Sequence, residues 1–199
     1  HQNLLLHEPT EKRFFRYDEG TGLWRYNTEA ILEQLACRTV VNETDHREEC
    51  IQLAHLRFAH SVVGHLKGIC EKADAFGGIP SGIHVANGYL VISEDSLELQ
   101  EFSPSHYSRN RSPVAFDPEA RCPRFIEQVL QSALEEDDIA LLQYYAGQCL
   151  LGRNLTQTIL ILHGPGGTGK GTISNILQEV VGVHNCQELR TDHLDERFE

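Results

Sequence analysis

Methionine is absent from all 199 residues, and the first residue is a histidine. Because translation ordinarily begins at methionine, we interpret the chain as a piece of a longer protein. Long apolar runs are missing too, since no stretch approaches the roughly 20 residues of a membrane-spanning helix. No signal-peptide pattern is visible either. The sequence therefore predicts no membrane partner.

Closely spaced cysteines are also lacking. The six cysteines are spread along the chain with no CxxC pair, at positions 37, 50, 70, 122, 149 and 186. Scattered cysteines can form disulfides in an extracellular protein, whereas the reducing cytoplasm keeps them as thiols. Since a loop described below indicates a nucleotide site, we expect a cytoplasmic protein with free, mostly buried thiols.

Positive charge is scarce. Lysine and arginine total 17 against 29 acidic residues, a formal net charge of −12, whereas nucleic-acid-binding domains usually have a basic surface. Two local basic groups are present: Lys12, Arg13, Arg16 and Arg25, then Arg109, Arg111, Arg121 and Arg124. Each group is more simply a solvated face than a phosphate contact. We therefore expect that residues 1–150 do not grip duplex DNA on their own.

The composition that is present, with 40% hydrophobic residues, is that of a folded protein. Alternation, helical spacing and turn residues predict a series of short elements in the first 118 residues. They are a hairpin at 14–26, a helix capped by Thr28 and ending at Ala36, a helix at about 46–70, a hairpin at 83–92 and a loop to residue 118. The second hairpin is predicted to turn at Asn87 and Gly88, a pair that suits a type I′ turn.

Two further helices are predicted before residue 152. The first opens at Pro123, a favourable position for proline, with an inner face of Phe125, Ile126, Val129, Leu130 and Ala133. Four acidic residues at 135–138 end it and begin the second helix, where negative charge is stabilised by the helix dipole. The second helix has apolar positions at Ile139, Leu142, Tyr145, Ala146 and Cys149 and ends near Gly152.

The most informative stretch is "ILILHGPGGTGKGTISNIL" at residues 159–177. The apolar run at 159–162 is typical of a parallel strand buried on both faces. Four glycines follow within residues 164–169, and apolar residues then recur at helical spacing to Val181, with Gly182 placed to close the helix. Strand, glycine loop and helix together are the context of a phosphate-binding loop.

Each part of this loop has a role in holding phosphate. Glycines let successive backbone N–H groups turn inward to form an anion nest, and the helix N-terminus adds its unpaired N–H groups and positive dipole end. Lys170 supplies a charge that can follow the β- and γ-phosphates. The predicted nucleotide-binding residues are Gly164, Pro165, Gly166, Gly167, Thr168, Gly169, Lys170, Gly171 and Thr172, with Lys170 as the catalytic residue.

One position departs from the usual pattern. A serine or threonine ordinarily follows the lysine and binds Mg²⁺ through its hydroxyl. Gly171 occupies that position here, and the next hydroxyl belongs to Thr172. The sequence thus predicts ATP and Mg²⁺ as ligands, with Thr172 as the candidate metal ligand, equally open to a simple role at the start of the helix.

Four segments occur in an order similar to that of the poxvirus- and phage/plasmid-type primase-helicases. They are "IHVANGYLVI" (83–92), "VAFDPEARCPRF" (114–125), "LLQYYAGQCLLGRNL" (141–155) and "LILHGPGGTGKGT" (160–172). The resemblance covers residues 14–199, and the segments before the loop are jointly more specific than the loop alone. The family combines a helix-rich module with a superfamily-three helicase domain, an AAA+ type of P-loop ATPase.

This resemblance implies a mixed α+β fold: a helix-rich N-terminal module with small hairpins at residues 1–152, followed by the truncated start of an α/β P-loop domain at 153–199. It implies an ATP-dependent replicative DNA helicase of a virus, plasmid or prophage, acting as a hexamer with possible replication-protein partners in the bacterial or host cytoplasm. The Walker B acids, sensor and arginine finger would lie beyond residue 199, since "LRTDHLDERFE" (189–199) looks like the approach to the Walker B strand. We therefore expect the chain alone to bind ATP weakly, if at all, and not to hydrolyse it.

Two other interpretations of the function stay open. Adenylate-kinase-like nucleoside monophosphate kinases also have Gly-Lys-Gly-Thr in this loop, although their loop opens the chain and here about 160 residues precede it. Alternatively, the module before the loop is a non-catalytic assembly or loading surface of a helicase.

Overall fold

The computed structural model describes residues 4–43, 56–78, 82–94, 96–152 and 156–188. Within these ranges the chain is mixed α+β, with five α-helices and two antiparallel sheets of three strands each. It divides into two compact units: His1–Ile79 with Phe102–Arg109, and Pro80–Glu101 with Asn110–Glu199. The predicted mixed α+β class is confirmed, while the domain division at residue 152 stays a prediction.

The sheet of the first unit has the order β1-β2-β3. Its strands are β1 (Leu5–Glu8), β2 (Arg13–Asp18) and β3 (Leu23–Asn27). The predicted hairpin at 14–26 is therefore confirmed, and its turn is held by the Asp18 carboxylate, which accepts from the Thr21 hydroxyl at 2.6 Å. Strand β1 was not predicted, because four residues of mixed polarity give too short a pattern for alternation to be read.

Both faces of this sheet are covered. On one face, Phe14 packs with Leu32 and Val63 from helices α1 (Glu29–Glu43) and α2 (Leu56–Ile69). On the other face the core is largely aromatic and includes Phe15, Tyr17, Trp24 and Ala75. Burial on both faces explains why aromatic residues occupy consecutive positions of β2 rather than alternate ones.

Helix α1 is longer than predicted. Thr28 caps it as expected, its hydroxyl accepting from Ile31 N at 3.3 Å, but the helix continues past Ala36 to Glu43. No glycine or proline interrupts it there, and α1 lies along α2 with an ion pair between Glu29 and Lys67 at 2.7 Å. The first part of the helix predicted at 46–70 lies outside the described residues.

The sheet of the second unit has the order β4-β5-β6. Its strands are β4 (Gly82–Val85), β5 (Gly88–Ile92) and β6 (Leu97–Gln100). The hairpin is confirmed, but its turn lies one residue earlier than predicted, because Val85 pairs with Gly88 and the two turn residues are Ala86 and Asn87. Strand β6 was predicted as loop, since all four of its residues are exposed and supply no buried face.

The shifted turn has a physical reason. Asn87 is engaged with the backbone of Phe116, accepting from its N–H at 2.9 Å and donating to its carbonyl at 3.0 Å. A Cβ on Gly88 would lie 2.4 Å from the Gln100 carbonyl oxygen. Glycine is thus needed at 88 for the close approach of β6, and asparagine at 87 for a long-range contact, rather than either for a type I′ turn.

Three helices complete the second unit: α3 (Pro123–Phe125), α4 (Glu136–Leu150) and α5 (Lys170–Val181). Their shared core contains Leu130, Leu142 and Ile173. Helix α3 passes into a π-helix at Ile126–Leu130, whose wider turn changes which side chains face inward. The predicted inner positions Ile126 and Ala133 are consequently exposed.

The cysteines are less buried than predicted. Among the five described ones, Cys122 is exposed and the other four are half-buried, namely Cys37, Cys70, Cys149 and Cys186. Cys50 lies outside the described residues. None of the five is fully buried.

Candidate functional site

The segment leading into the glycine loop does not form the predicted strand. Residues 157–164 have no regular secondary structure, and Ile159 and Ile161 are 85% and 80% exposed. Leu160 and Leu162 pack against the core of the second unit. The segment therefore buries only one side, and the described part of the chain supplies no strand to pair with it.

The glycine loop itself has the backbone that only glycine readily adopts. The φ angles of Gly164, Gly167 and Gly169 are 153°, 81° and 83°, all on the positive side that L-residues avoid. The Thr168 hydroxyl donates to the Pro165 carbonyl at 2.9 Å and so closes the loop across three residues. Three of the four loop glycines are thus explained by the turns the backbone makes.

Gly166 and Gly171 are glycines that the fold does not require. Neither has a positive φ, and a Cβ added at either position would meet no atom within 4 Å. Glycine at such positions is expected where a ligand approaches the backbone closely. The open space beside both residues fits the approach of a phosphate group.

Lys170 lies at the loop. Its Nζ donates to the carbonyl oxygens of Gly164 at 2.9 Å and Pro165 at 2.7 Å, and lies 3.3 Å from the Thr168 hydroxyl. The loop carbonyls therefore hold the ammonium group in place. A positive charge and the loop glycines are brought together, as the sequence predicts.

Helix α5 begins at Lys170 and ends at Val181, as predicted. Its first backbone bond runs from Ile173 N to Gly169 O at 3.0 Å, so the N–H groups of 170–172 precede the ladder, as the first N–H groups of a helix do. Gly182 closes the helix with φ 98° and ψ 120°. The predicted helix end at Gly182 is confirmed, although this ψ lies outside the left-handed helical region that a closing glycine usually adopts.

The far end of α5 is anchored by side chains that the sequence did not reveal. The buried Ser112 donates its hydroxyl to Val180 O at 2.5 Å. Asn185 donates its side-chain amide to Arg111 O at 3.0 Å and to Val181 O at 2.8 Å. The Ser112–Val180 and Asn185–Arg111 bonds join residues about 70 positions apart, a separation that no local pattern encodes.

The hydroxyl predicted to bind metal is close to the loop in sequence but exposed. Gly171 and Thr172 are the second and third residues of α5, and both are solvent-accessible. The described residues contain no group of three or more histidine, cysteine or acidic side chains able to hold a metal ion. Any metal at this loop would therefore rely on phosphate oxygens and water in addition to Thr172.

The Cys149 thiol of the second unit is not activated. Burial raises the pKa of Cys149 on α4, the neighbouring Cys186 raises it further, and a hydrogen bond with Tyr145 lowers it. With a net upward shift, the thiol stays protonated at neutral pH and is a poor nucleophile.

The cations of the two basic groups differ in their surroundings. Arg109 pairs with Glu11 at 2.6 Å and lies over the Phe76 ring in the first unit. Arg121 donates to carbonyl oxygens of its own turn in the second unit. Arg16 and Arg25 face each other across β2 and β3, where like charges repel.

Comparison of the chain with models of protein families and with curated proteins gave no match. The family resemblance therefore stays a prediction, and the segment 189–199 on which part of it depends lies outside the described residues. Within the described ranges, no helix has both the length and the apolar character needed to cross a bilayer.

Proposed function

We propose that the chain binds the triphosphate of ATP through residues 164–172 and serves as the nucleotide-binding part of an ATP-dependent DNA helicase. The observation that carries the binding proposal is the glycine loop that leads into the N-terminus of α5 with Lys170 Nζ on its carbonyls. The open space at Gly166 and Gly171, which packing does not explain, supports it.

In this proposal each group has a defined task. Backbone N–H groups of the loop and of the first turn of α5 donate to phosphate oxygens, which neutralises charge without a side chain. Lys170 exchanges its two carbonyl acceptors for the β- and γ-phosphates. The bonds that Ser112 and Asn185 make at the other end of α5 hold the helix in position.

Magnesium would be held mainly by the nucleotide. Gly171 has no ligand atom, so the hydroxyl of Thr172 is the protein group we assign to the ion or to one of its waters. A metal ion at this point would neutralise charge that develops on the phosphates during transfer.

The helicase level of the proposal rests on the resemblance of the four segments. The proposed helicase is a hexamer around DNA, and the module before the loop presents its ATPase domain to the hexamer or to a replication protein. The DNA contacts are made mainly by other parts of a longer protein. The negative net charge of the chain supports this placement of the DNA contacts, because counterion release on DNA needs clustered cations.

Calorimetric titration with ATP and Mg²⁺ tests nucleotide binding. We expect the unmodified chain to bind ATP weakly and Lys170→Ala to abolish that binding, because the substitution removes the loop's only side-chain cation. Lys67→Ala, in the other compact unit, is the matched control and leaves affinity unchanged. Equal affinity of the chain and its Lys170→Ala variant would contradict the proposal.

A nucleoside monophosphate kinase is the second candidate, favoured by Gly171 at the position after the lysine. Two assays on a longer protein that contains the complete domain distinguish the kinase from the helicase. Transfer of the γ-phosphate to a nucleoside monophosphate supports the kinase, whereas DNA-stimulated ATP hydrolysis and strand separation, both lost with Lys170→Ala, support the helicase.

A further inference from the structure

The two edge strands of the second unit's sheet, β4 and β6, differ in whether their outer side is hydrogen-bonded. The outer edge of β4 is covered, since Ser112 N donates to His84 O at 2.8 Å and Ala86 N donates to Val114 O at 3.0 Å. No backbone hydrogen bond reaches β6 from its outer side within the part of the chain that the structure describes. Strand β6 therefore presents free N–H and C=O groups to solvent.

Strand β6 also exposes apolar side chains on one face. Leu97 and Leu99 are 57% and 40% exposed and lie opposite Ile92 and Leu90 of β5. Proteins commonly protect an open edge with proline, lysine or a bulge, and β6 has none of these over its four residues. Its only charge is Glu98, whose side chain alternates with the two leucines.

The charge around this edge has one sign. The sequence has no lysine or arginine between Lys72 and Arg109, a stretch that includes all of β4, β5 and β6. Glu94 and Glu101 flank β6 on either side, and both are exposed. An incoming strand that places a cation opposite Glu98 is therefore favoured, and a second copy of β6, which would place another glutamate nearby, is disfavoured.

We propose that β6 is a docking edge for an extended segment of another protein, which adds as a fourth strand. The segment has apolar residues opposite Leu97 and Leu99 and an arginine or lysine between them. Main-chain hydrogen bonds supply the attachment, and the alternating side chains supply the preference for this pattern. The site is separate from the phosphate loop and does not depend on the function proposed for it.

The probe is a fluorescein-labelled, blocked peptide of sequence Lys-Thr-Val-Arg-Val-Thr-Lys, titrated with the full chain and followed by anisotropy. The same peptide with alternate backbone nitrogens methylated is the control for strand pairing, because methylation removes the donors. We expect the first peptide to bind and the methylated one not to bind.

A charge exchange tests the location. Replacing the peptide's arginine with glutamate should weaken binding to the chain about two- to fivefold. Glu98→Lys should reverse this preference, so that the glutamate peptide becomes the better ligand. Glu127→Lys, another exposed position of the second unit, is the matched control and should leave the preference unchanged.

Three results would overturn the proposal. One is no binding of either peptide at concentrations up to about 1 mM. Another is binding whose preference is the same for the chain and for Glu98→Lys. The third is concentration-dependent dimerisation in sedimentation experiments that is lost with Leu97→Lys, which would make β6 a contact between copies of this chain.

Discussion

Replacing Gly169 of the glycine loop and Gly171 of α5 by alanine, one at a time, separates backbone strain from helix propensity. Gly169 and Gly171 lie two residues apart, and an added Cβ at either would meet no atom within 4 Å. Steric contact is therefore the same in both variants. The difference is conformational, because Gly169 has φ 83° and ψ 0° and Gly171 is an ordinary position in the first turn of α5.

The two substitutions should change the stability of the loop and of α5 in opposite directions. Alanine in the left-handed region costs about 1–2 kcal/mol, so Gly169→Ala should destabilise the loop and the start of α5 by that amount. Alanine in place of glycine within a helix stabilises it by about 0.5–1 kcal/mol, so Gly171→Ala should have the reverse effect. The two variants should thus differ by about 1.5–3 kcal/mol.

Amide hydrogen exchange at Ile173 measures this difference, because its N–H bonds to Gly169 O at 3.0 Å and reports opening of the first turn. We expect protection to fall about five- to thirtyfold in Gly169→Ala and to rise about two- to fivefold in Gly171→Ala. Equal changes in the two variants, or a fall in both, would refute the loop conformation from which the argument is built.

Three further outcomes are expected. Glu8→Gln should lower stability at neutral pH, and the difference should disappear at acid pH, below the lowered pKa of Glu8. The hydrogen bond from the backbone N–H of Glu11 is the largest of the contacts that hold the Glu8 pKa below its usual value. The stability that the Glu8 carboxylate contributes is therefore present above the ordinary glutamate pKa of about 4.3 and is lost as pH falls through the lowered pKa. Urea unfolding of both proteins at several pH values measures this, and a stability difference that does not change with pH would contradict it. Ser112→Ala, which leaves Val180 O without its side-chain donor, should cost about 1–3 kcal/mol in thermal unfolding, whereas no change would mean that the bond does not anchor α5. Thr172→Val, in a protein that contains a complete ATPase domain, should weaken Mg²⁺-dependent ATP hydrolysis more than ATP binding, and wild-type values of both would leave Thr172 as a helix-start residue only.

Local patterns predicted much of the fold. The hairpin in the first unit, the helix at 136–150 and the helix that follows the glycine loop each combine a periodic apolar face with end signals, so their positions agree with the prediction. The π-helix at Ile126–Leu130 was missed because its residues have the same spacing signal as an α-helix.

The geometry of the candidate site was also predicted only in part. Glycine spacing and Lys170 identify the loop, since these features are local. The bond of Ser112 to Val180 O and the bond of Asn185 to Arg111 O join distant segments, and no composition or spacing marks them. The strand expected at 159–162 failed because strand formation needs a neighbouring strand, whereas an apolar run indicates only a tendency to be buried.

The central claim is that residues 164–172 bind nucleotide phosphates. Backbone amide chemical shifts measured while ATP and Mg²⁺ are added to the chain test it most directly, because each N–H of the loop and of the first turn of α5 is observed separately. The largest changes are expected on the amides of residues 166–172, and they should disappear in Lys170→Ala. Changes confined to other parts of the chain, or the same changes in the variant, would contradict it.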